Sequence, residues 1–220
     1  MQKFDTAAPI TAVLDIPAGR VQLIAADRTD TRVEVLPANP SKGRDVKAAE
    51  QTTVDYADGV LRIQASAKNQ YFGPSGSVEV TVQLPTGSRV EAKTAACELR
   101  GVGRLGDVTF EGAYRQIKID ETASLHLTAT DGDVEVGRLG GPAQITTARG
   151  DIDIAEAMGG KVVLATQSGD ISVGAAAGVS AALDAGTSYG RITNALKNDG
   201  AADLTIEATT SHGDITARSL

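Results

Sequence analysis

Apolar and polar residues alternate along most of this chain, and a short motif recurs within the alternation. In its clearest copies a threonine lies three positions before a glycine, and an aspartate and an isoleucine follow that glycine, as in residues 147–152, 166–171 and 210–215. Apolar residues at every second position are typical of a β-strand with one buried face. Each copy therefore predicts a strand, a bend at the glycine and a second strand.

The copies follow one another at a nearly constant spacing. The position two after the glycine is aliphatic in all of them, and this regularity brings in two degenerate copies: Leu99, Ile117, Val134, Ile152, Ile171, Ile192 and Ile215. The glycine position is occupied by Cys97, Arg115, Gly132, Gly150, Gly169, Gly190 and Gly213, at steps of 18, 17, 18, 19, 21 and 23 residues. A unit of this size can bury its apolar face only by stacking on its neighbours. We therefore predict an all-β fold, a parallel β-solenoid of about seven short coils, right-handed by analogy with parallel crossovers.

The motif residues have structural roles in this interpretation. Counting by twos from the apolar positions places the threonines on the inward face, where their hydroxyls can bond from coil to coil: Thr94, Thr147, Thr166, Thr187 and Thr210. The glycine supplies a positive φ at the corner. Cys97 and Arg115 at the glycine position predict that the first corners differ from the later ones.

The first 88 residues have strand patterns with a different rhythm. Strands are predicted at 10–16, 20–25, 31–36, 52–56, 60–65 and 77–84, with a hairpin turn at 57–59 and one short helix within 41–51. We interpret residues 1–88 as a β-rich module that caps the N-terminal end of a solenoid formed by residues 89–220, because terminal repeats need a cap. One continuous domain is the alternative.

The sequence shows no comparable cap at the C-terminal end. Only Arg218, Ser219 and Leu220 follow the last strand phrase, residues 213–217. The strand that contains Ile215 is therefore predicted to have an open edge, and an open edge pairs readily with another chain. We expect a protein partner, with a second copy of this chain as the first candidate and a homo-oligomer as the result.

Composition argues against several classes of function. Lys and Arg number 21 against 28 for Asp and Glu, a net charge of −7, which disfavours binding to nucleic acid and to anionic lipid. One cysteine and two histidines exclude an internal disulfide and a metal site of the Cys/His kind. No run of about 18 apolar residues predicts a membrane span, and the first residues contain no apolar signal core. These features predict a cytoplasmic protein, with the cell surface as the alternative.

Several phrases of the sequence, taken together and in order, resemble one bacterial family. They are LDIPAGRVQL at 14–23, YADGVLRIQA at 56–65, GSVEVTVQLPTGSRVEA at 76–92, the repeated TxxGDI and the closing IEATTSHGDI at 206–215. The family is a domain-of-unknown-function family of β-strand repeats that carries the label "putative adhesin". The resemblance covers nearly the whole chain and implies a β-solenoid of short strands. It implies no catalytic residues.

Aspartate follows the glycine in most copies of the motif. Stacking would bring Asp133, Asp151 and Asp170 into a ladder with about 4.8 Å between neighbours. Calcium binding is one interpretation, since carboxylate oxygens suit that ion. The other interpretation is that each aspartate caps its own turn through a backbone N–H, and we favour it because the full calcium-binding turn motif is absent.

Catalysis is the interpretation with the least support. A carbohydrate-cleaving solenoid needs two or three carboxylates in a groove, for which Asp151, Asp153 and Asp170 are the candidates. No basic partner or aromatic sugar platform accompanies them. His126 and His212 form no recognisable pair with a Ser or Cys nucleophile. We therefore predict no enzyme activity, no catalytic residues and no cofactor.

The longest loop-like segment, residues 68–76, contains two adjacent aromatic residues in a chain that is poor in them. Tyr71 and Phe72 would be anchors for a protein partner if they are exposed. The alternative is that Phe72 packs over the end of the solenoid. The sequence as a whole predicts a non-enzymatic scaffold or interaction protein that self-associates at its C-terminal end, with a cell-surface adhesin as the alternative.

Overall fold

The structure of the chain is a computed structural model and describes residues 1–65, 76–112 and 116–220. These residues form seventeen strands and one helix, so the chain is all-β, as predicted. In chain order the elements are β1 (Gln2–Asp5), β2 (Thr11–Ala26), β3 (Asp30–Pro37), α1 (Gly43–Gln51), β4 (Thr52–Ala57), β5 (Val60–Ala65), β6 (Val78–Pro85), β7 (Arg89–Glu111), β8 (Ile117–Thr128), β9 (Val134–Leu139), β10 (Ala143–Thr146), β11 (Ile152–Ala157), β12 (Gly160–Ser168), β13 (Ile171–Ala175), β14 (Ala181–Tyr189), β15 (Ile192–Ala195), β16 (Leu204–His212) and β17 (Ile215–Ser219).

The strands stack in two parallel columns, and the residues before and after each corner glycine belong to different columns. In the first column β8, β10 and β12 pair in parallel, with Leu125, Ala143 and Val162 in register. In the second column β8, β9, β11 and β13 pair in parallel, with the aliphatic residues two after the glycine in register. The long strands β2, β7 and β8 run through corners and take part in both columns. The predicted parallel pairing of counterpart strands is confirmed in these columns.

Side chains from both columns form one continuous core. The aliphatic residues two after the glycine position are at most 2% exposed in six of the seven copies. The exception is Ile192, which is 43% exposed. A fully buried leucine or isoleucine side chain contributes about 1.5–3 kcal/mol to the free energy of unfolding. Burial of these side chains therefore stabilises each coil against its neighbours. A coil at the end of the stack buries less apolar surface and is stabilised less.

A separate set of elements covers the N-terminal end of both columns. β5 pairs in parallel with the first half of β2, and β4 pairs antiparallel on its outer side. β6 pairs in parallel with the second half of β2, and β3 and then β1 follow antiparallel. Helix α1 contacts β3, β5 and β6, and its Ala48 and Ala49 pack against the core. A helix and antiparallel strands therefore close this end of the stack.

The elements predicted for this region correspond closely to β2–β6 and α1. The predicted hairpin turn joins β4 to β5, with Asp58 and Gly59 at positive φ. Two details differ, since β1 was not predicted and β2 is one continuous strand across residues 17–19, where two strands were expected. β2 also pairs with β7 along most of its length, and this pairing links residues 1–88 to residues 89–220.

The C-terminal end of the stack is built out of chain order. β16 pairs in parallel with β12 on one side and with β14 on the other. β17 lies in the same way between β13 and β15. Residues 204–219 are thus inserted between the coil of β12 and β13 and the coil of β14 and β15. We call the coil of β14 and β15, residues 181–195, the end coil, because no strand among the described residues pairs with its outer side.

The predicted position of the open edge was wrong. Ile215 is 1% exposed and lies in register between Ile171 and Ile192, so β17 is paired on both sides. The prediction assumed that coils stack in chain order. Instead, the connections at 176–180 and 196–203 carry the chain past one coil and back again. The two longest steps between motif copies, 21 and 23 residues, are the sequence signal of these longer connections.

Replacing Gly169 with alanine should destabilise the fold. Gly169 has a φ of +153°, and an added Cβ would lie 2.1 Å from the carbonyl oxygen of Gly150 in the neighbouring coil. We expect Gly169→Ala to lower the free energy of unfolding, measured by urea denaturation, by about 2–4 kcal/mol.

Gly186 offers the matched control for this substitution. Its added Cβ would meet no atom within 4 Å, so Gly186→Ala should leave the unfolding midpoint unchanged or slightly raised. Equal losses in the two variants would show that close approach is not the reason for glycine at the corner.

Candidate functional site

At the corners of the coils, neighbouring backbones lie in close contact. An added Cβ on Gly150, Gly169 or Gly213 would lie 2.3, 2.1 or 2.0 Å from the carbonyl oxygen of a glycine in the adjacent coil. All three glycines have a positive φ, as predicted, whereas Gly190 in the end coil does not. Glycine is therefore required twice, for its conformation and for the close approach. At Cys97 the chain instead continues as an extended strand opposite Gly19, so this first corner differs, as expected.

A series of hydrogen bonds links the aspartates along these corners. Oδ1 of Asp133 accepts the backbone N–H of Asp151 at 2.9 Å, Oδ1 of Asp151 accepts that of Asp170 at 2.7 Å, and Oδ1 of Asp170 accepts that of Asp214 at 2.7 Å. Oδ1 of Asp214 accepts the backbone N–H of Arg191 at 2.8 Å. We call Asp133, Asp151, Asp170 and Asp214 the aspartate ladder. Each carboxylate caps the neighbouring coil and not its own turn, which corrects the sequence-based interpretation.

The threonines of the motif hold the same corners from the inner side. The hydroxyl of Thr166 donates to the carbonyl of Gly150 at 3.2 Å, and that of Thr210 donates to the carbonyl of Gly169 at 3.0 Å. Hydrogen bonds from coil to coil were predicted for five threonines, and Thr187 makes one as well. The acceptors are glycine carbonyls, which the close approach of the backbones brings within reach. The hydroxyl of Thr147 instead donates to the carbonyl of Arg149 in its own turn, and that of Thr94 has no partner among the described residues.

The aspartate ladder does not converge on a metal site. Within residues 1–65, 76–112 and 116–220, no group of three or more His, Cys, Asp or Glu side chains is arranged to hold a metal ion. One oxygen of Asp133, of Asp151 and of Asp170 is engaged with a peptide N–H of the next coil. Calcium needs about six to eight oxygen ligands around one point, whereas these carboxylates are spread along the stack. The geometry supports the structural role of the ladder.

The ladder also explains why residues 181–195 form the end coil. Arg191 occupies the aspartate position there, and its side chain cannot accept an N–H from a further coil. Asn194 lies in register with Ala217, which in turn lies in register with Val173, at a position that inner coils fill with buried apolar side chains. An amide buried there without partners would cost free energy. The motif copy at 187–194 is therefore the one that tolerates the outer position, and this determines the order of the last coils.

The end coil presents unpaired backbone groups along β14. The N–H of Ala181 donates to the carbonyl of Lys197 at 2.9 Å and not to β16, so the backbone polar groups of Ala181 point away from β16. Backbone groups alternate in direction along a strand. Those of Leu183, Ala185 and Thr187 therefore also point to the open side. A row of such donors and acceptors is a template for pairing with another strand.

The end coil also leaves apolar side chains uncovered. Ile192 is 43% exposed and Tyr189 is 71% exposed, although their coil lies directly against the buried residues of β16 and β17. Leu183 and Ala185 point inward and are only partly buried. The ring of Tyr189 stacks on that of His212, with 5.1 Å between centroids and 11° between planes. We define the candidate site as this open edge: the free side of β14 with the exposed residues beside it.

The aspartates considered for carbohydrate cleavage do not form a catalytic pair. Asp151 and Asp170 belong to the aspartate ladder. Asp153 lies in register with Glu135 and Ser172 on the outward face of the second column. A retaining or inverting glycosidase needs two carboxylates that flank one bond across a groove. These side chains line a face of the stack and not a groove.

A shallow depression of about 370 Å³ lies on the outer face of the first column, lined in part by Asp107, His126 and Lys161. The hydrogen bond from the hydroxyl of Ser124, with the nearby guanidinium of Arg89, holds the pKa of Asp107 below its usual range. A general acid needs the opposite shift in pKa. The depression therefore does not offer the acid that the enzymatic interpretation requires.

The remaining candidates from the sequence are distributed as follows. Tyr71 and Phe72 lie outside the described residues. His212 is at a corner, stacked on Tyr189. The open edge itself was missed, because the prediction placed it at Ile215. The polar residues Arg191 and Asn194 in the motif copy at 187–194 were the signal that could have found it.

The geometry defines a repeat protein of stacked β-strands that has one covered end and one open end. The chain belongs to the Toastrack DUF4097 family, whose model matches residues 13–219. No curated protein matches the chain. The single helix among the described residues, α1, is too short and too polar to cross a bilayer.

Several solved structures are similar to this chain at low sequence identity. A putative cell adhesion protein from Clostridium sporogenes is 12% identical over 100% of this chain and 98% of that chain, with a TM-score of 0.44. A putative adhesin from Bacteroides fragilis is 11% identical over 100% and 95%, with a TM-score of 0.41. A putative lipid binding protein from Parabacteroides distasonis is 12% identical over 98% and 95%, with a TM-score of 0.40. Similarity at this level assigns no function to the chain.

Removing one carboxylate of the aspartate ladder should loosen the stack. Asp170→Ala deletes the acceptor for the backbone N–H of Asp214. We expect a loss of about 1–2 kcal/mol in the free energy of unfolding, in the range of a lost helix cap or charged hydrogen bond. Asp153→Ala is the matched control, because Asp153 follows the same motif but faces outward, and it should change the free energy by less than about 0.5 kcal/mol. If both variants unfold at the same denaturant concentration as the native chain, the ladder does not stabilise the stack.

Proposed function

We propose that this protein is a non-enzymatic scaffold that binds another polypeptide by adding a strand to the open edge of its end coil. The observation that carries the proposal is the free side of β14, where the backbone groups of Leu183, Ala185 and Thr187 face outward on the same coil as the exposed Ile192. An added strand would satisfy those backbone groups and cover apolar surface at the same time. Self-association is the first case of such binding.

The handedness of the stack, its number of coils and its organisation into one domain belong to the same proposal. We take the stack as a right-handed solenoid of about seven coils, with residues 1–88 and residues 89–220 folded as one unit. The pairing of β2 with β7 and the shared core support a single unit. Such a stack holds the end coil in a fixed geometry, which lowers the entropy lost on binding. Strand addition at this edge would work in the same way in the cytoplasm and at a cell surface.

A peptide with the sequence of β16, Leu204–His212, is a suitable probe for the open edge. β16 already pairs with β14 on its inner side, so its pattern of side chains fits a strand of this stack. We expect the peptide to shift the amide resonances of Leu183, Ala185 and Thr187 in the isotope-labelled full chain. Ala185→Pro should abolish the shifts, because proline removes a free N–H on the open side and spares the bonds to β16.

Gly186→Ala is the control for that variant. It changes the next residue of the same strand, keeps every N–H on the open side and finds open space around its Cβ, so the peptide should still bind. Shifts that survive Ala185→Pro, or an absence of shifts in β14 at every peptide concentration, would contradict the proposed function.

A further inference from the structure

We infer that two copies of this chain associate end to end through their end coils, as a closed dimer with a two-fold axis. β14 of one copy pairs antiparallel with β14 of the partner subunit, and the uncovered ends of the two cores meet. This inference rests on the proposed function. It adds the identity of the partner, the direction of the strand pairing and the stoichiometry.

The two ends of the stack differ in how they are protected. At the N-terminal end α1 packs against the core through Ala48 and Ala49. The edge strands there are short and charged: β1 has four residues that include Lys3 and Asp5, and β4 contains Asp55. Charged side chains on an edge strand oppose pairing with another chain. A head-to-tail contact would need this protected end as well as the open one.

β14 lacks these protective features. It is nine residues long, contains no proline and no Lys or Arg, and has Asp184 as its single charged residue. Repeat proteins need a cap at each terminal repeat because the core would otherwise be exposed there. Among the described elements, no strand or helix supplies that cap at the end coil. Of the described residues, only the connection after β15 reaches this side, where Leu196 packs against the core and the carbonyl of Lys197 accepts the N–H of Ala181 at the start of β14. A second end coil has the same strand length and the same apolar row, so it covers the edge and the core together.

Symmetry then limits the size of the assembly. A two-fold contact uses the same surface on both copies and leaves no open end behind. A head-to-tail contact would leave one open end and continue into a fibre. Because each described chain has one open end, the two-fold contact closes the assembly at two copies.

The charge of Asp184 selects the register of the pairing. A pairing centred on Asp184 would place two carboxylates directly opposite each other, which is destabilising. A pairing centred on Ala185 places Asp184 opposite Gly186 of the partner subunit and Leu183 opposite Thr187 of the partner subunit. This register also keeps the inward residues of both strands on the core side.

Thiol cross-linking of the full chain tests this arrangement together with the mass in solution. In Gly186→Cys the new side chain enters open space on β14, close to its symmetry mate in the inferred dimer. Gly43→Cys is the matched control, since its Cβ also meets no atom within 4 Å and it lies at the capped end, at the start of α1. The native Cys97 is 0% exposed and does not compete for a short bis-maleimide reagent.

We expect light scattering over a concentration series to level off at about twice the monomer mass of 22.6 kDa. On a denaturing gel Gly186→Cys should then run as a cross-linked dimer, and Gly43→Cys should run as a monomer because its thiols lie far apart in the dimer. Mass that keeps growing, or cross-links between positions 186 and 43 in a mixture of the two variants, would overturn the two-fold dimer and leave strand addition intact. A strict monomer that still binds the β16 peptide would also overturn the dimer alone. A strict monomer that fails to bind the peptide would overturn the dimer and the proposed function together.

Discussion

The structure depends on the close approach of neighbouring coils at the Thr–Gly–Asp corner. A side chain at Gly150, Gly169 or Gly213 would collide with the carbonyl of the adjacent glycine. The same approach lets a threonine hydroxyl reach that carbonyl and lets an aspartate carboxylate reach the next peptide N–H. Glycine therefore makes the corner possible, and threonine and aspartate satisfy the polar groups that the corner brings together. The recurrence of the motif is explained by contacts between coils and needs no ligand.

This constraint makes the ends of the stack different from its interior. An inner coil has a partner on both sides for its backbone, its ladder aspartate and its inward aliphatic side chains. An end coil has a partner on one side, so its motif can lose the aspartate and the second apolar residue, as it does at Arg191 and Asn194. The N-terminal end is closed by α1 and antiparallel strands instead. The open edge of β14 is the place where the regular contacts of the stack stop without a described replacement.

Much of the fold could be predicted from the sequence because the motif determines register. The parallel pairing of counterpart strands follows from the period, and β3 to β6 follow from local strand and turn patterns. The order of the last coils could not be predicted in the same way. The copies at 187–192 and 210–215 fit the column in the same register, so periodicity alone does not say which one lies outside. Only the polar residues of the first copy and the longer connections contain that information.

The open strand edge therefore lies on a different strand from the one that the sequence predicted. An open strand edge at the C-terminal end of the stack was expected at Ile215 and is found at β14. The aspartate ladder was predicted as a column, and its column is present, but the partner of each carboxylate lies in the next coil. Sequence reasoning assigned each aspartate to its own turn because local turns are the contacts that a linear pattern shows most directly.

Residue-resolved hydrogen exchange on the full chain tests the order of the last coils most directly. If β16 lies between β12 and β14, amides along the whole of β16 are protected, while those of Leu183, Ala185 and Thr187 exchange rapidly in the dilute monomer. If the coils stacked in chain order, β14 would be protected along its length and alternate amides of β16 would exchange rapidly. The first result is what the inserted coil predicts, and the second would contradict the account of the open edge.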